Sequence, residues 1–556
     1  MSLNSKDTLL KALQLSPDLN DEAIGRDISA IITVAVDDET HQPSLKTVYD
    51  NILQYNGGPA LLEPLDVLPD LLRCHRKEAV DLISLISENS SPKEVLIVIQ
   101  ETLEQLTQLA REDEDEDEDE AEEEHVPGSV QCLINVIMLS TKSVPRLTLG
   151  KRTALSVVSP LVSGVSLAVS SLGSHFTRDS GRSLLAGVSG MSEAFYTWIF
   201  KTGSEANIAE ARKIIRLLLD TTVLACAPCI RASLCARAFE MHYPRLTLSS
   251  AIEPEWQEGE QAILSVLTTL RVMTLSPQDV LDNPTMSSLV ILAHEQQNYP
   301  LPKDLSSKLH SMLMTSIQMN FALDESLFLI FRCVTQDRTQ PEPDFPPDLA
   351  TSLCIVLPAL ASTHLDPFVR HFSLRLIALI LAQLPSVLQQ QILITLASDT
   401  EFPQMRAAAI GLLKGFVLEA LQVPTPSGEP NVFASPLLIR SFGPILFRTM
   451  PSDYLSTVQV AGDIEKSLEP SRIAEVLSFY YVLLQRDRDN KTGIRDPDNI
   501  ASVESSLLRP LRSFLEKWSN AKPVLSLISL QIGLERIDYA KTMLYRSSEA
   551  GNYVTH

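Results

Sequence analysis

Apolar residues recur along this chain every three or four positions. Leu96, Ile99, Leu103, Leu106 and Leu109 are spaced 3, 4, 3 and 3, which draws one stripe down a helix. Ile208, Ala211, Ile215, Leu218 and Thr222 repeat the pattern with spacings 3, 4, 3 and 4. No sustained alternation of apolar and polar residues argues for a sheet. Leu374–Leu384 (LRLIALILAQL) is apolar nearly all round. A helix of that kind must be covered on several sides, and neighbours in a stacked array would cover it.

One stretch appears twice. Asp366–Leu381 reads DPFVRHFSLRLIALIL, and Phe402–Val417, 36 residues later, reads FPQMRAAAIGLLKGFV. Pro367 matches Pro403, Val369 matches Met405, Arg370 matches Arg406, Leu376 matches Leu412 and Ile377 matches Leu413. A weaker third copy starts at Pro228-Cys229-Ile230-Arg231. The pattern resembles the HEAT repeat, in which a Pro or Asp opens the second helix and an Arg at the helix start bonds neighbouring turns. The offset sits slightly below the roughly 40–47 residues usual for that class. A lone helix pair cannot bury its apolar face, whereas a stack of pairs can. The expected fold is therefore all-α, a HEAT/armadillo-like α-solenoid of stacked antiparallel helix pairs.

Four stretches read as linkers: the acidic run through Gly128, Arg338–Pro347 (RTQPEPDFPP), Val423–Asn431 (VPTPSGEPN) and Arg486–Asn499 (RDRDNKTGIRDPDN). They suggest N-terminal helical repeats over 1–110, an acidic disordered linker over 111–129 and middle repeats over 130–337. A HEAT-like repeat pair over 348–422 and a C-terminal helical region over 434–545 follow.

Composition agrees with helices. Only 20 of the 556 residues are glycine and 6% are aromatic, so the residues favoured in turns and strands are scarce. The 34 prolines mostly fall between the Leu-rich runs, where they end one helix and start the next. Net charge is −23; the run Glu112–Glu124 holds twelve acids, leaving −11 for the remainder. Such a chain repels phosphate and anionic lipid, so neither nucleic acid nor a membrane is the expected partner. The run reads as a solvated linker, or as a lure for a basic partner that raises association rate. Thr153–Phe176 carries no charged side chain and is long enough to span a bilayer. Its seven serines and its Pro160 and Gly164 favour instead a buried helix pair broken near Pro160–Gly164. The start MSLNSKDTLL has no basic-then-apolar leader, and seven scattered cysteines make no disulfide framework. The expected location is the cytoplasm, with the nucleus as a second compartment.

Candidate chemistry is sparse. There is no phosphate loop and no His-Glu-x-x-His. Gly187-Val188-Ser189-Gly190 is one residue short of a nucleophile elbow. Cys226-Ala227-Pro228-Cys229 has the spacing of a redox dithiol, and Cys235 and His242 follow closely enough to suggest a metal site. The simpler reading makes these cysteines small apolar core residues. The ten histidines do not cluster beyond His371 with His364 nearby, and Trp198, Trp256 and Trp518 suit packing. No catalytic, cofactor or metal residue is assigned, and an enzyme is not expected.

Leu65–Cys74 (LDVLPDLLRC), Ser91–Leu109 (SPKEVLIVIQETLEQLTQL) and Arg406–Lys414 (RAAAIGLLK) together resemble the glomulin and fungal Yap-binding protein family. Ser91 and Val95 depart from that family's Asn-Pro-Lys-Glu-Leu motif. The resemblance implies a HEAT-like, non-enzymatic regulator. Glomulin-like members bind the RING subunit of cullin-RING ubiquitin ligases through their C-terminal half. Fungal members bind a bZIP transcription factor of the oxidative-stress response, and a relative works at the kinetochore. No partner-contacting residue carries over. The expectation is thus a protein-binding adaptor in oxidative-stress response or ubiquitin-ligase control. A HEAT-type transport or trafficking adaptor is the first alternative, and a thiol redox protein using Cys226 and Cys229 the second.

Overall fold

The computed structural model describes residues 6–38, 40–55, 57–115, 126–245, 251–295, 305–335, 345–422, 431–458, 460–518 and 525–552. Among the described residues the chain is all-α, with no strand. It divides into two compact units, Met1–Leu329 and Ile330–His556.

The helices used below are numbered in chain order. In the first unit α1 (Asp21–Asp37) precedes two interleaved rows of helices. One row is α2 (Pro64–Arg73), α4 (Pro92–Asp115), α6 (Ala154–Ser171), α8 (Glu205–Ile230) and α11 (Met286–Glu295). The other is α3 (Lys77–Asn89), α5 (Val126–Ser143), α7 (Arg178–Thr202) and α10 (Trp256–Val272). Each helix packs on the next of its own row, and the rows pack on each other. The short α9 (Leu234–His242) and the start of α12 (Leu323–Thr335) close the unit.

The second unit pairs α13 (Pro347–Thr363) with α14 (Pro367–Leu381) and α15 (Ser386–Ala397) with α16 (Pro403–Gln422). Then α17 (Leu437–Leu446) packs on α15, α18 (Glu469–Arg486) on α16, and α19 (Leu525–Asn552) on α18.

Local sequence fixes the helix starts. Thr153, Ser204 and Asp366 accept backbone N–H groups at the heads of α6, α8 and α14, and Thr177 with Ser180 forms a capping box on α7. Proline stands in the first turn of α2, α13, α14 and α18, where its missing N–H costs nothing. The stripe Ala211, Ile215, Leu218, Thr222 is fully buried in α8, as are Ile99, Leu103 and Leu106 in α4.

Helix ends are fixed from farther away. The last carbonyls of a helix lack partners and carry the negative end of its dipole. In this chain arginines from other segments reach them. Arg76 donates to Val36 O at 2.9 Å and to Ala35 O at the end of α1. Arg146 serves Ser90 O at 3.2 Å and Ser87 O at the end of α3. Arg182 serves Cys229 O and Ile230 O, both at 3.1 Å, at the end of α8. In the second unit Arg472 reaches Leu446 O at 3.4 Å and Arg448 O beyond α17. The repeat pair uses the same device: Arg370 donates to His364 O at 2.6 Å, and Arg406 to Asp399 O. The rigid fork of a guanidinium can serve two carbonyls at once, which a lysine cannot match.

Three expectations change. Pro228 lies inside α8 near its end, and Arg231 follows in the left-handed region at φ 46°, so Pro228-Cys229-Ile230-Arg231 closes a helix instead of opening a third repeat. Helix α6 runs unbroken through Pro160 and Gly164. It is the one described helix long and apolar enough to cross a membrane by length and composition, and its Val157, Leu161, Val165 and Ala168 are buried in the packing with α4 and α8. Arg486–Asn499 is folded: Arg486 ends α18, Pro497 opens a helix (Pro497–Val503), and a structured loop joins them. The buried Asp487 carboxylate accepts from Lys491 N, Thr492 N and Thr492 Oγ1 at 2.6–2.8 Å, and Ile494 is fully buried. The polar composition suggests a linker, whereas it satisfies the loop's own backbone. At the expected linker 111–129, α4 extends to Asp115 and α5 begins at Val126; residues 116–125 of the acidic run lie outside the described residues, as do 338–344 and 423–430 of the other two linkers.

Candidate docking surface on the C-terminal helix

Helix α19 has two apolar faces. Leu527, Leu530, Leu534, Ile537 and Ala540 are buried, and α18 is the helix they pack on. Gly533 permits that approach, since a Cβ there would lie 2.8 Å from Leu477 Cδ1. Polar anchors fix the helix rotation. Lys541 pairs with Glu504 at 2.7 Å, Asp538 with Arg512 at 2.6 Å, and Arg512 also with Glu504. Burial pushes the Glu504 carboxyl up, but hydrogen bonds from Lys541 and Arg512 outweigh it and hold it below its ordinary value.

The opposite face is exposed. Leu525 (80%), Ile528, Ile532, Tyr539 (60%) and Met543 fall on one stripe, with Arg536 and Glu535 exposed at its middle. At about 1.5 Å per residue the stripe is about 27 Å long. Exposed apolar rows of this extent mark interaction sites on soluble proteins. An aromatic, long aliphatic side chains and one arginine are also the residue types that anchor protein interfaces. The arrangement offers surface to bury and little to react with.

The residues singled out earlier for chemistry are occupied in packing. Cys226 and Cys229 lie in the last turns of α8, both buried. Burial pushes both thiols up, opposite to the shift a redox dithiol needs. The Cys229 sulfur fills space left by Gly181, where a Cβ would sit 2.5 Å away. Cys235 donates its thiol to Asp324 O at 2.9 Å, and the His242 ring packs edge-on against Tyr243. No group of three or more His, Cys, Asp or Glu suited to a metal occurs among the described residues. Ser189 is buried mid-helix in α7 and donates to Leu185 O at 2.6 Å. Trp256 lies 3.6 Å beneath the Arg237 guanidinium, and Trp198 is buried.

Sequence reading missed two features. One is the outward stripe of α19: apolar positions on both faces blur the helical period, so only the packing says which face is left over. The other is an acidic pair, Asp324 part-buried and Glu325 buried. Asp324 on α12 accepts from Leu234 N at 2.6 Å and Cys235 N at 2.9 Å, capping α9 from ninety residues away. Burial and the neighbouring Glu325 charge push its carboxyl up to about 6, against the pull of those N–H groups. Glu325 Oε1 stands 3.7 Å from Nε2 of buried His294.

Residues 305–534 match the model of the family described as "Uncharacterised protein family, YAP/Alf4/glomulin". Over those residues the chain is similar to the YAP/Alf4/glomulin family. The match covers most of the second unit and takes in the start of the α19 stripe. No curated protein matches the chain. The family points to a protein-binding adaptor.

Proposed function

We propose that this YAP/Alf4/glomulin-type chain is a non-enzymatic scaffold that docks a protein partner on the outer face of α19. The observation that carries the reading is the exposed row Leu525, Ile528, Ile532, Tyr539 and Met543 on a helix whose other face is already buried. The paired rows of helices suit a HEAT-type α-solenoid, an architecture that presents long walls for docking. The resemblance supplies two partner classes, the RING subunit of a cullin ligase and a bZIP stress transcription factor. Either partner class would be met in the cytoplasm or the nucleus, the location proposed for this chain.

The test is direct binding of the purified chain to each of these two partners, in the parent and in Ile532→Glu/Tyr539→Glu. The expected result is that one partner binds and that the double variant loses at least about ten-fold in affinity, about 1.4 kcal/mol, with thermal unfolding unchanged. Binding of neither partner, or unaltered binding by the variant, overturns the reading.

A further inference from the structure

A second uncovered surface lies in the first unit, on α6 and α8. Helix α6 (ALSVVSPLVSGVSLAVSS) has no ionisable side chain at all. Its outer positions Ser163, Leu167 and Ser170 are exposed. On α8, Leu217 (64%) and Leu224 are exposed two turns apart, with Thr221 between them. The two helices pack side by side, and Ser166 Oγ donates to Thr221 Oγ1 at 3.3 Å across the seam. On α8, Arg216 and Asp220 pair with each other at 2.8 Å and are largely buried, and the exposed Lys213, one turn before Leu217, pairs with Glu210 at 3.3 Å at the end of the stripe. Among the described residues, the result between Leu217 and Leu224 is a face two helices wide with no exposed charge. It sits in a unit with 25 Lys and Arg against 46 Asp and Glu. Surface charge keeps a protein soluble, so a face without any is one that gets covered.

One border of that face is acidic. Helix α4 packs beside α6 and exposes Glu101 and Glu104. Between Lys93 and Arg111 it carries no basic residue, and the chain then enters the twelve acids of Glu112–Glu124. An apolar centre with an acidic border selects an apolar partner with a basic border. A unit of net charge −21 repels anionic lipid and a second copy of itself.

We propose that α6 and α8, bordered by α4, dock a basic amphipathic helix of a partner protein. Its apolar residues lie on Leu167, Leu217 and Leu224, and its lysines and arginines face Glu101 and Glu104. This site is separate from α19 and does not depend on it.

The probe is a synthetic Leu/Lys amphipathic peptide of about 18 residues, long enough to match α6, with a Leu/Glu peptide as control. Binding is followed by fluorescence anisotropy at about 50 and about 300 mM salt, and the site by hydrogen exchange of the full chain. The expected result is binding of the Leu/Lys peptide only, with new protection in α6 and α8. Leu217→Ser/Leu224→Ser should weaken it about ten-fold or more, and Glu101→Gln/Glu104→Gln should flatten the salt dependence. Ile532→Glu/Tyr539→Glu should bind the peptide as the parent does, which separates this site from α19. Equal binding by Leu217→Ser/Leu224→Ser, or protection elsewhere, overturns the proposal. So does self-association, or binding to uncharged phosphatidylcholine vesicles, that the same two substitutions abolish.

Discussion

The two units build helices alike and spend charge differently. Met1–Leu329 has 25 basic and 46 acidic residues, whereas Ile330–His556 has 21 and 23. Nearly all of the chain's net charge of −23 therefore resides in one unit. The acidic unit leaves a face on α6 and α8 with no exposed charge between Leu217 and Leu224 beside an acidic border, and the near-neutral unit leaves an apolar row on α19 with Arg536 and Glu535 at its middle. The same helical packing can thus present surfaces with different electrostatic preferences. Charge in such an architecture governs what is recruited, and apolar pattern governs where it sits.

The shared device, an arginine holding another helix's end, gives the largest expected effects and sharpens the comparison. Arg472 is buried with Glu469 at 2.7 Å, and Glu469 is itself buried. Arg472→Met strands that carboxylate and should cost about 3–5 kcal/mol. Arg182 is equally buried, but its partner Glu258 is solvent-exposed. Arg182→Met should therefore cost less, about 1–3 kcal/mol, mainly from the carbonyls left unpaired. Thermal unfolding with hydrogen exchange at α8 and α17 measures both, and a larger loss for Arg182→Met would break the distinction.

Next in size is a pH effect confined to the first unit. The Asp324 carboxyl is raised from its ordinary 3.8 to about 6. A raised carboxyl opposes folding when charged, so its cost is full above about pH 6 and fades as pH falls toward 3.8. The groups around it are Glu325 on its own helix, Cys235 from α9, and His294 of α11 through Glu325. The stability of Asp324→Asn relative to the parent should accordingly fall between pH 8 and pH 5, by on the order of 1–3 kcal/mol. A constant difference across that range would refute the burial argument.

The smallest effect belongs to the second unit and has the opposite sign. Glu504 is held below its ordinary 4.5 by Lys541 and Arg512, so its contribution is present above that value and lost as pH falls through the depressed one. Glu504 is partly exposed, and water screens the pair. Glu504→Gln should loosen α19 only slightly, seen as faster hydrogen exchange in Leu525–Asn552 with the rest of the unit unchanged.

The amino-acid sequence by itself settled the helical class. The spacing of Ala211, Ile215, Leu218 and Thr222, the capping residues and the placement of prolines are local signals, and helices are local structures. It also exposed the duplicated Pro-x-x-Arg helix starts at Pro367 and Pro403, and the segments that resemble the family. Tertiary structure decided what local pattern cannot carry. It showed that Cys226 and Cys229 are core, that Asp324 caps a helix ninety residues upstream, and that Arg486–Asn499 folds on its own backbone. It also showed which apolar faces of α6, α8 and α19 are left uncovered. Pattern says that a face is apolar; only the arrangement of neighbours says whether anything lies against it, because burial is a property of two surfaces and the sequence describes one at a time.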